Sequence, residues 1–386
     1  MNMMNIINKK IETIMKGTGE SEFFSFGSIL FMASLGYGAI VKLREIFYQS
    51  GILSTKRLSC IVISIGNLTV GGTGKTPMTI YIARLAKKLG YKVAILSRGY
   101  KGLSEKTGGI VSDGKTIFMG PDAAGDEPYM MASRLKKIPV IVGKNRYKAG
   151  MSAIKKYGSD VIVLDDAFQH LRLMRDINLV LLDNSSPYGN MHLLPRGTLR
   201  EPISSLSRGD AFVFTRTDSS SVFEEKTALI NQKQYDKEKP IYKSFHVPYI
   251  YKIVKGKNIS LQKEKESSFS INYKFLKGRK VFVFSGIARN TDFRRTLESL
   301  KCEIRGFLEF ADHHRYSTTD FDGIFRLAKN VEADFLITTE KDYVRISSEI
   351  KWPIDLVVIG IEISFGDDEE AFNTFIKNRL EGFKGE

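Results

Sequence analysis

Gly71-Gly72-Thr73-Gly74-Lys75-Thr76 lies between Cys60 to Ile65, which reads as a buried strand, and Thr76 to about Leu89, which reads as a helix. Few segments constrain a fold so tightly. A loop that holds a polyanion needs converging backbone N–H groups, glycines that let it wrap closely, and a helix N-terminus whose dipole favours negative charge. Thr69, Val70, Gly71, Gly72, Thr73, Gly74, Lys75 and Thr76 are therefore the candidate cradle for ATP. Lys75 is placed to reach the β- and γ-phosphates, and the Thr76 hydroxyl to ligate magnesium. The strict pattern has glycine where Thr69 stands, so the loop is a variant. Pro77 suits a first helical turn, where its missing N–H costs nothing.

A second part belongs with the loop. Val161 to Leu164 reads as a strand running straight into Asp165-Asp166. The carboxyl end of a neighbouring parallel strand is where such proteins hold their metal, so both aspartates are candidate Mg²⁺ ligands. Further short strands are read at 92–96, 139–142, 179–182 and 211–214, with a helix at about 148–157. Strands alternating with helices predict a parallel sheet covered on both faces. From about Ser219 to Lys274 the chain turns rich in Lys, Glu, Ser and Gln, with one alternating run at 241–253. Beyond it, strands at 280–284, 304–310, 335–338 and 356–361 and helices near 291–300 and 369–380 read as a second unit.

The expectation is an α/β protein: a P-loop NTPase-like α/β/α parallel-sheet domain at 51–218, a linker with one strand at 219–274, and a second, smaller α/β domain at 275–386. Residues 1–50 form an N-terminal region with its own character. From Phe23 to Val41 nineteen residues carry no charge, about the length that crosses a bilayer core. Basic residues flank both ends (Lys9, Lys10, Lys16; Lys42, Arg44, Lys56, Arg57), so orientation is not set by them. A cleaved signal would export a nucleotide-binding domain away from its ATP, and a buried core helix is the bland alternative. A membrane-associated helix is the expectation.

The net charge of +15 admits nucleic acid, an anionic membrane or a phosphorylated substrate. The lysines are scattered and no nucleic-acid module is present, which argues against nucleic acid. Cys60 and Cys302 lie far apart and offer no metal spacing or disulfide framework. No feature implies a protein partner.

Taken in order, several segments resemble one family, the tetraacyldisaccharide 4′-kinases of lipid A biosynthesis. They are Gly66 to Pro77, Leu96-Ser97-Arg98-Gly99-Tyr100, Gly125-Asp126-Glu127-Pro128, Asn145-Arg146-Tyr147 and Asp165-Asp166-Ala167-Phe168-Gln169-His170. Leu194-Pro195-Arg196-Gly197, Leu199-Arg200-Glu201-Pro202, Phe310-Ala311-Asp312-His313-His314 and Thr339-Glu340-Lys341-Asp342 complete the set. Ala167, where glycine is more usual, is a small departure. The resemblance implies transfer of the ATP γ-phosphate to the 4′-hydroxyl of a lipid-linked glucosamine disaccharide 1-phosphate. It implies two α/β/α lobes joined by a two-stranded linker with the site between them; 241–253 and 356–361 are the candidate linker strands, and with them the final helix returns to the first lobe. It also implies work at the surface of the bacterial inner (cytoplasmic) membrane, catalytic domains on the cytoplasmic side.

Roles follow from the same matches. On sequence alone Gly125-Asp126-Glu127-Pro128 is a turn and helix start; the resemblance makes Asp126 the carboxylate that accepts the sugar proton, with Glu127 helping to position it or the metal. His313 is implied to cross the cleft to that aspartate. His170 follows the aspartate pair by one helical turn. Arg146 and Arg200 suit oxyanions, and Tyr100 is a candidate contact for the acceptor sugar. Lys341 and Asp342 match the pattern without a role. The competing reading is a P-loop ATPase of the partitioning or metal-insertion kind, whose loop usually carries an early lysine; 67–70 here read Asn-Leu-Thr-Val.

Overall fold

The computed structural model describes residues 26–217, 239–256, 273–346 and 349–383, with 14, 15 and 17. The basic residues Lys9, Lys10 and Lys16, the start of the apolar run at Phe23, and most of the linker expected at 219–274 lie outside the described residues.

Twelve strands form one continuous sheet. In chain order they are β1 (Ile61–Asn67), β2 (Val93–Ser97), β3 (Gly109–Ser112), β4 (Val140–Val142), β5 (Val161–Asp165), β6 (Ile177–Asp183), β7 (Ala211–Thr215), β8 (Ile241–Val254), β9 (Lys280–Ser285), β10 (Glu303–Glu309), β11 (Phe335–Thr339) and β12 (Leu356–Ser364). Their spatial order is β10-β9-β11-β12-β8-β7-β6-β1-β5-β2-β4-β3. Most neighbours are parallel; β3 on β4 and β8 on β12 are antiparallel. The helices are α1 (Phe26–Gln49), α2 (Lys75–Lys88), α3 (Asp126–Arg134), α4 (Arg146–Tyr157), α5 (Asn290–Ser299), α6 (Thr318–Asn330), α7 (Glu340–Tyr343) and α8 (Glu369–Gly382), with a short turn of helix at Pro121–Ala124.

The long strand β8 joins the half of the sheet built from β1 to β7, here the first lobe, to the half built from β9 to β12, the second lobe. Ile241 to Ser244 pair with β7, and Phe245 to Val254 pair with β12. A fourteen-residue strand is long enough to serve two neighbours in succession, so no separate second sheet is needed. The chain then returns: Phe372, Ile376 and Leu380 of α8 bury against Met78, Ile82 and Ala83 of α2 in the core of the first lobe. Tyr81 donates to Asn373 Oδ1 at 2.9 Å, tying the same helices. The central strands are buried along almost their whole length and mostly apolar, as strands covered on both faces are.

Helix α1 outlasts the uncharged run and continues past Lys42 to Gln49. Lys42 and Glu45 pair one turn apart at 2.8 Å, which lets the charged residues stay helical. Among the described residues it is long and apolar enough to cross a membrane, and most of it is not buried. Ile29, Met32, Leu35 and Ile40 are exposed, so it is not a core helix of the bland kind. Its other side rests on the loops after β5 and β6: Tyr37 donates to the Arg200 carbonyl at 2.8 Å and Arg44 to that of Gln169 at 2.6 Å. Helix α6 was not anticipated, and α3 begins at the helix start read at 125–128. The nine residues of α3 open with Asp-Glu-Pro, which reads equally as a turn.

Candidate active site

The loop between β1 and α2 is shaped by two residues in left-handed backbone. Gly74, the N-cap of α2, has φ 81°, and a Cβ there would stand 2.8 Å from His246 Nε2. No side chain fits that conformation and that gap together. Lys75 Nζ rests 3.2 Å from Asn67 Oδ1, 3.5 Å from the Gly71 carbonyl and 3.7 Å from Asp166 Oδ1. Thr73 and Thr76 are buried beneath the loop, and Thr73 Oγ1 has no partner among the described residues. The segment at Leu199 clamps the loop from outside: Val70 donates to the Thr198 carbonyl at 2.8 Å and Arg200 to that of Leu68 at 2.7 Å.

Asp165 ends β5 beside this loop, fully buried, and accepts from Ser97 Oγ at 3.0 Å and Thr79 Oγ1 at 3.3 Å. Burial raises its pKa, and the charges of Glu127 and Asp166 raise it further against Lys75. Asp166 differs. Burial would raise it too, but Lys75 and Arg200 outweigh that and hold it low. Arg200 NH1 lies 2.9 and 3.0 Å from its two oxygens. Asp166 has φ 46°, a conformation that costs a non-glycine residue roughly 1–3 kcal/mol.

Hard oxygen donors crowded so closely suit magnesium, which keeps several waters and takes one or two carboxylates together with substrate phosphates. No group of three or more Asp, Glu, His or Cys side chains forms a closed metal cage among the described residues. The carboxylates whose charges oppose one another at Asp165 fit an open site of this sort.

Asp126 opens α3. Gly125, its N-cap, has φ 89°, and a Cβ there would meet the Tyr100 carbonyl at 2.9 Å. Two side chains from the second lobe converge on Asp126 Oδ2: His313 Nδ1 at 2.9 Å and Arg345 Nε at 2.7 Å. Burial acts to raise the Asp126 pKa, but these two partners outweigh it and hold it at about 2. His313 itself sits at φ 64°. Glu127 faces Lys341, whose Nζ is 3.8 Å from Glu127 Oε1 and 3.5 Å from Asp312 Oδ1.

The remaining expected residues spread around this cleft. Tyr100 is exposed, with its ring 6.4 Å from that of His313. Arg146 is buried and donates to the Gly143 carbonyl at 2.7 Å. Burial lowers its pKa to about 10 while Asp165 and Asp166 oppose the shift, so it backs the carboxylate pair from within. Among the described residues His170 makes no hydrogen bond or ion pair with the aspartates. Burial and then Arg146, Arg175, Arg44 and Arg172 push its pKa down to about 4, which marks a strongly positive rim.

Three features were not anticipated. Arg345 carries no motif of its own, although it lies one turn beyond Asp342. Arg216 and Arg289 gather on Asp183 beside the loop, Arg216 also donating to the Gly72 carbonyl and lying 3.0 Å from Asp292 Oδ2 of α5. His246 of β8 packs under Gly74 with Nε2 unpartnered; burial and Arg216 lower its pKa to about 3. All arise from lobe packing, which no local spacing records.

Residues 26–381 match the sequence profile of LpxK, described as tetraacyldisaccharide-1-P 4′-kinase. The chain is 39% identical to the tetraacyldisaccharide 4′-kinase of Desulfatibacillum aliphaticivorans, over 98% of this chain and 99% of that one. With that of Syntrophus aciditrophicus (strain SB) it shares 41% identity over 88% and 89% of the two chains. The solved structure of the "apo" form of LpxK from Aquifex aeolicus in complex with ATP is similar with a TM-score of 0.69 at 30% identity, covering 92% of this chain and 100% of that one.

Proposed function

The chain belongs to the tetraacyldisaccharide 4′-kinase family, and on that premise we propose how its residues share the reaction. The enzyme transfers the γ-phosphate of ATP to the 4′-hydroxyl of a tetraacyldisaccharide 1-phosphate in lipid A biosynthesis. A sugar hydroxyl is a weak nucleophile, so a positioned carboxylate that takes its proton lowers the barrier. Asp126 is that carboxylate. As the 4′-oxygen bonds to the γ-phosphorus, its proton passes to Asp126, the bond to the β–γ bridging oxygen breaks, and ADP leaves. The observation that carries this is the pairing of Asp126 with His313 across the lobes, beside Glu127, whose charge acts on Asp165.

Lys75 and the N–H groups of Gly71 to Thr76 hold the phosphate chain and meet the charge that develops on it. Thr76, Asp165 and Asp166 would hold Mg²⁺, with Glu127 beside them; bound magnesium supplies neutralising charge at the phosphates. Tyr100 at the cleft edge and Arg200 receive the disaccharide and its 1-phosphate, with His170 beside them and the buried Arg146 backing the site from within. His313 orients Asp126 and excludes water from it as the lobes meet.

The substrate carries acyl chains whose withdrawal from a bilayer costs about 0.8 kcal/mol per CH₂. The exposed side of α1 seats the enzyme at the cytoplasmic face of the inner membrane. Its other side touches Gln169 and Arg200, so the site opens beside the lipid. The direct test is purified protein with γ-labelled ATP, Mg²⁺ and a tetraacyldisaccharide 1-phosphate in detergent. Label should appear in lipid. Steady ATP hydrolysis with unlabelled lipid would return the reading to a P-loop ATPase.

A further inference from the structure

Thr339-Glu340-Lys341-Asp342 had no assigned purpose, yet its residues all turn toward α3 or toward what holds it. Glu340 Oε2 lies 3.7 Å from Arg134 NH1 at the end of α3, and Lys341 faces Glu127 at its start. Asp342, fully buried, accepts from Thr339 Oγ1 at 2.6 Å, Gly286 N at 2.9 Å and Tyr316 OH at 3.0 Å. Arg345 rides on this frame. Its NH1 donates to the Gly286 carbonyl at 3.1 Å and stands 3.4 Å from Asp342 Oδ1.

The distances decide what Arg345 is for. Its shortest contact is Nε to Asp126 Oδ2 at 2.7 Å, and Asp342 keeps three other donors without it. NH2 lies 3.3 Å from His313 Nδ1, so the guanidinium spans both members of the pair. The side chain is 4% exposed and cannot swing away into solvent. Both second-lobe donors fall on one oxygen, Oδ2, while Oδ1 has no hydrogen-bond partner among the described residues.

We propose that Arg345 is a positioning residue: it pins Asp126 Oδ2 on the second lobe so that Oδ1 is the atom presented to the sugar hydroxyl. A planar fork serves Asp126 and the Gly286 carbonyl at once, which the point charge of a lysine cannot do. Arg345 never touches substrate; it acts through Asp126. The inference rests on Asp126 being the proton acceptor.

The test measures lipid phosphorylation by Arg345→Met, Arg345→Lys and each combined with Asp126→Ala, alongside Asp126→Ala alone. Misaligning the acceptor lowers kcat roughly 10- to 100-fold for Arg345→Met. KM for ATP stays within about twofold, since nothing in the phosphate cradle changes. Arg345→Lys recovers part of kcat. Neither substitution lowers the residual rate of Asp126→Ala, because the atom it positions is gone. Wild-type kcat in Arg345→Met overturns the proposal, as does an equal loss in the Asp126→Ala background, or a loss confined to KM. If Arg345→Met does not fold, Arg345→Lys carries the same comparison, with wild-type kcat again overturning it. Near-normal turnover by Asp126→Ala would instead overturn the assignment of the base, and this inference with it.

Discussion

His313 Nδ1 lies 2.9 Å from Asp126 Oδ2, joining side chains 187 residues apart in the chain. Removing that contact by His313→Ala takes one of its two side-chain donors from the carboxylate, and kcat should fall roughly 100-fold. Initial rates at saturating ATP and lipid check this; an unchanged kcat would remove His313 from the mechanism. Asp126→Ala should cost more, roughly 1000-fold or beyond, since the acceptor itself is lost.

The same contact sets a pH dependence. Burial opposes it, but His313 and Arg345 hold the Asp126 pKa at about 2, below its ordinary 3.8. A depressed carboxylate stabilises the joined lobes above pH 4, and that stability is lost as pH falls through about 2. Asp126→Asn should therefore cost about 2 kcal/mol at pH 7 and progressively less below pH 4. Unfolding followed at pH 7 and at pH 3 gives the comparison.

Lys75 has the loop's only ammonium, resting on Asn67 Oδ1 and near Asp166. Lys75→Ala should reduce transfer roughly 1000-fold by leaving the phosphates without that charge. Chelating Mg²⁺ should abolish wild-type transfer. Asp166→Asn should raise the Mg²⁺ concentration needed for half-maximal rate, and a rate insensitive to chelator would exclude the metal role of Asp165 and Asp166.

The exposed face of α1 predicts a separable defect. Ile29, Met32, Leu35 and Ile40 are more than half exposed, at 67%, 65%, 53% and 69%. Leu35→Glu with Ile40→Glu should weaken co-sedimentation with lipid vesicles, because apolar area that would enter the bilayer becomes charged. Rates on detergent-dispersed substrate should change little. Equal vesicle binding by the variant would show that α1 is not the membrane contact.

The phosphate loop was legible because everything it needs is local: glycines, Lys75 and Thr76 within one strand–helix turn. Asp126 and His313 were legible only through motif resemblance, since no spacing links positions so distant. Arg345, Arg216 and Arg289 escaped because their partners come from lobe packing; Arg345, three residues after Asp342, had only the helical step as a signal. The alternating run at 241–253 was visible as a strand. Its pairing with 356–361 followed from the two-stranded linker that the resemblance implies; that its first residues would pair with β7 was not visible, because register belongs to the neighbours as much as to the strand. Helix α1 ran longer than its uncharged core, since Lys42 and Glu45 neutralise each other on one face.

Glu340 carries the last prediction. Its carboxylate is buried against Tyr249 OH at 3.1 Å and Arg134 NH1 at 3.7 Å, and Oε1 has no partner among the described residues. Burial outweighs Arg134 and raises its pKa from 4.5 to about 7. A carboxyl raised on folding leaves stability intact below about pH 4.5 and erodes it as pH climbs through 7. Glu340→Gln removes that erosion and keeps the shape. Arg134 retains Glu362 Oε1 at 2.9 Å and the Ile361 carbonyl at 3.1 Å, so the substitution does not strand a buried cation. The variant should therefore gain stability over the wild type at pH 8, by at most about 3 kcal/mol, with the gain vanishing near pH 5. Thermal unfolding at the two pH values decides it: a variant less stable at pH 8 would mean that the pairing with Arg134 outweighs the cost of burying the charge.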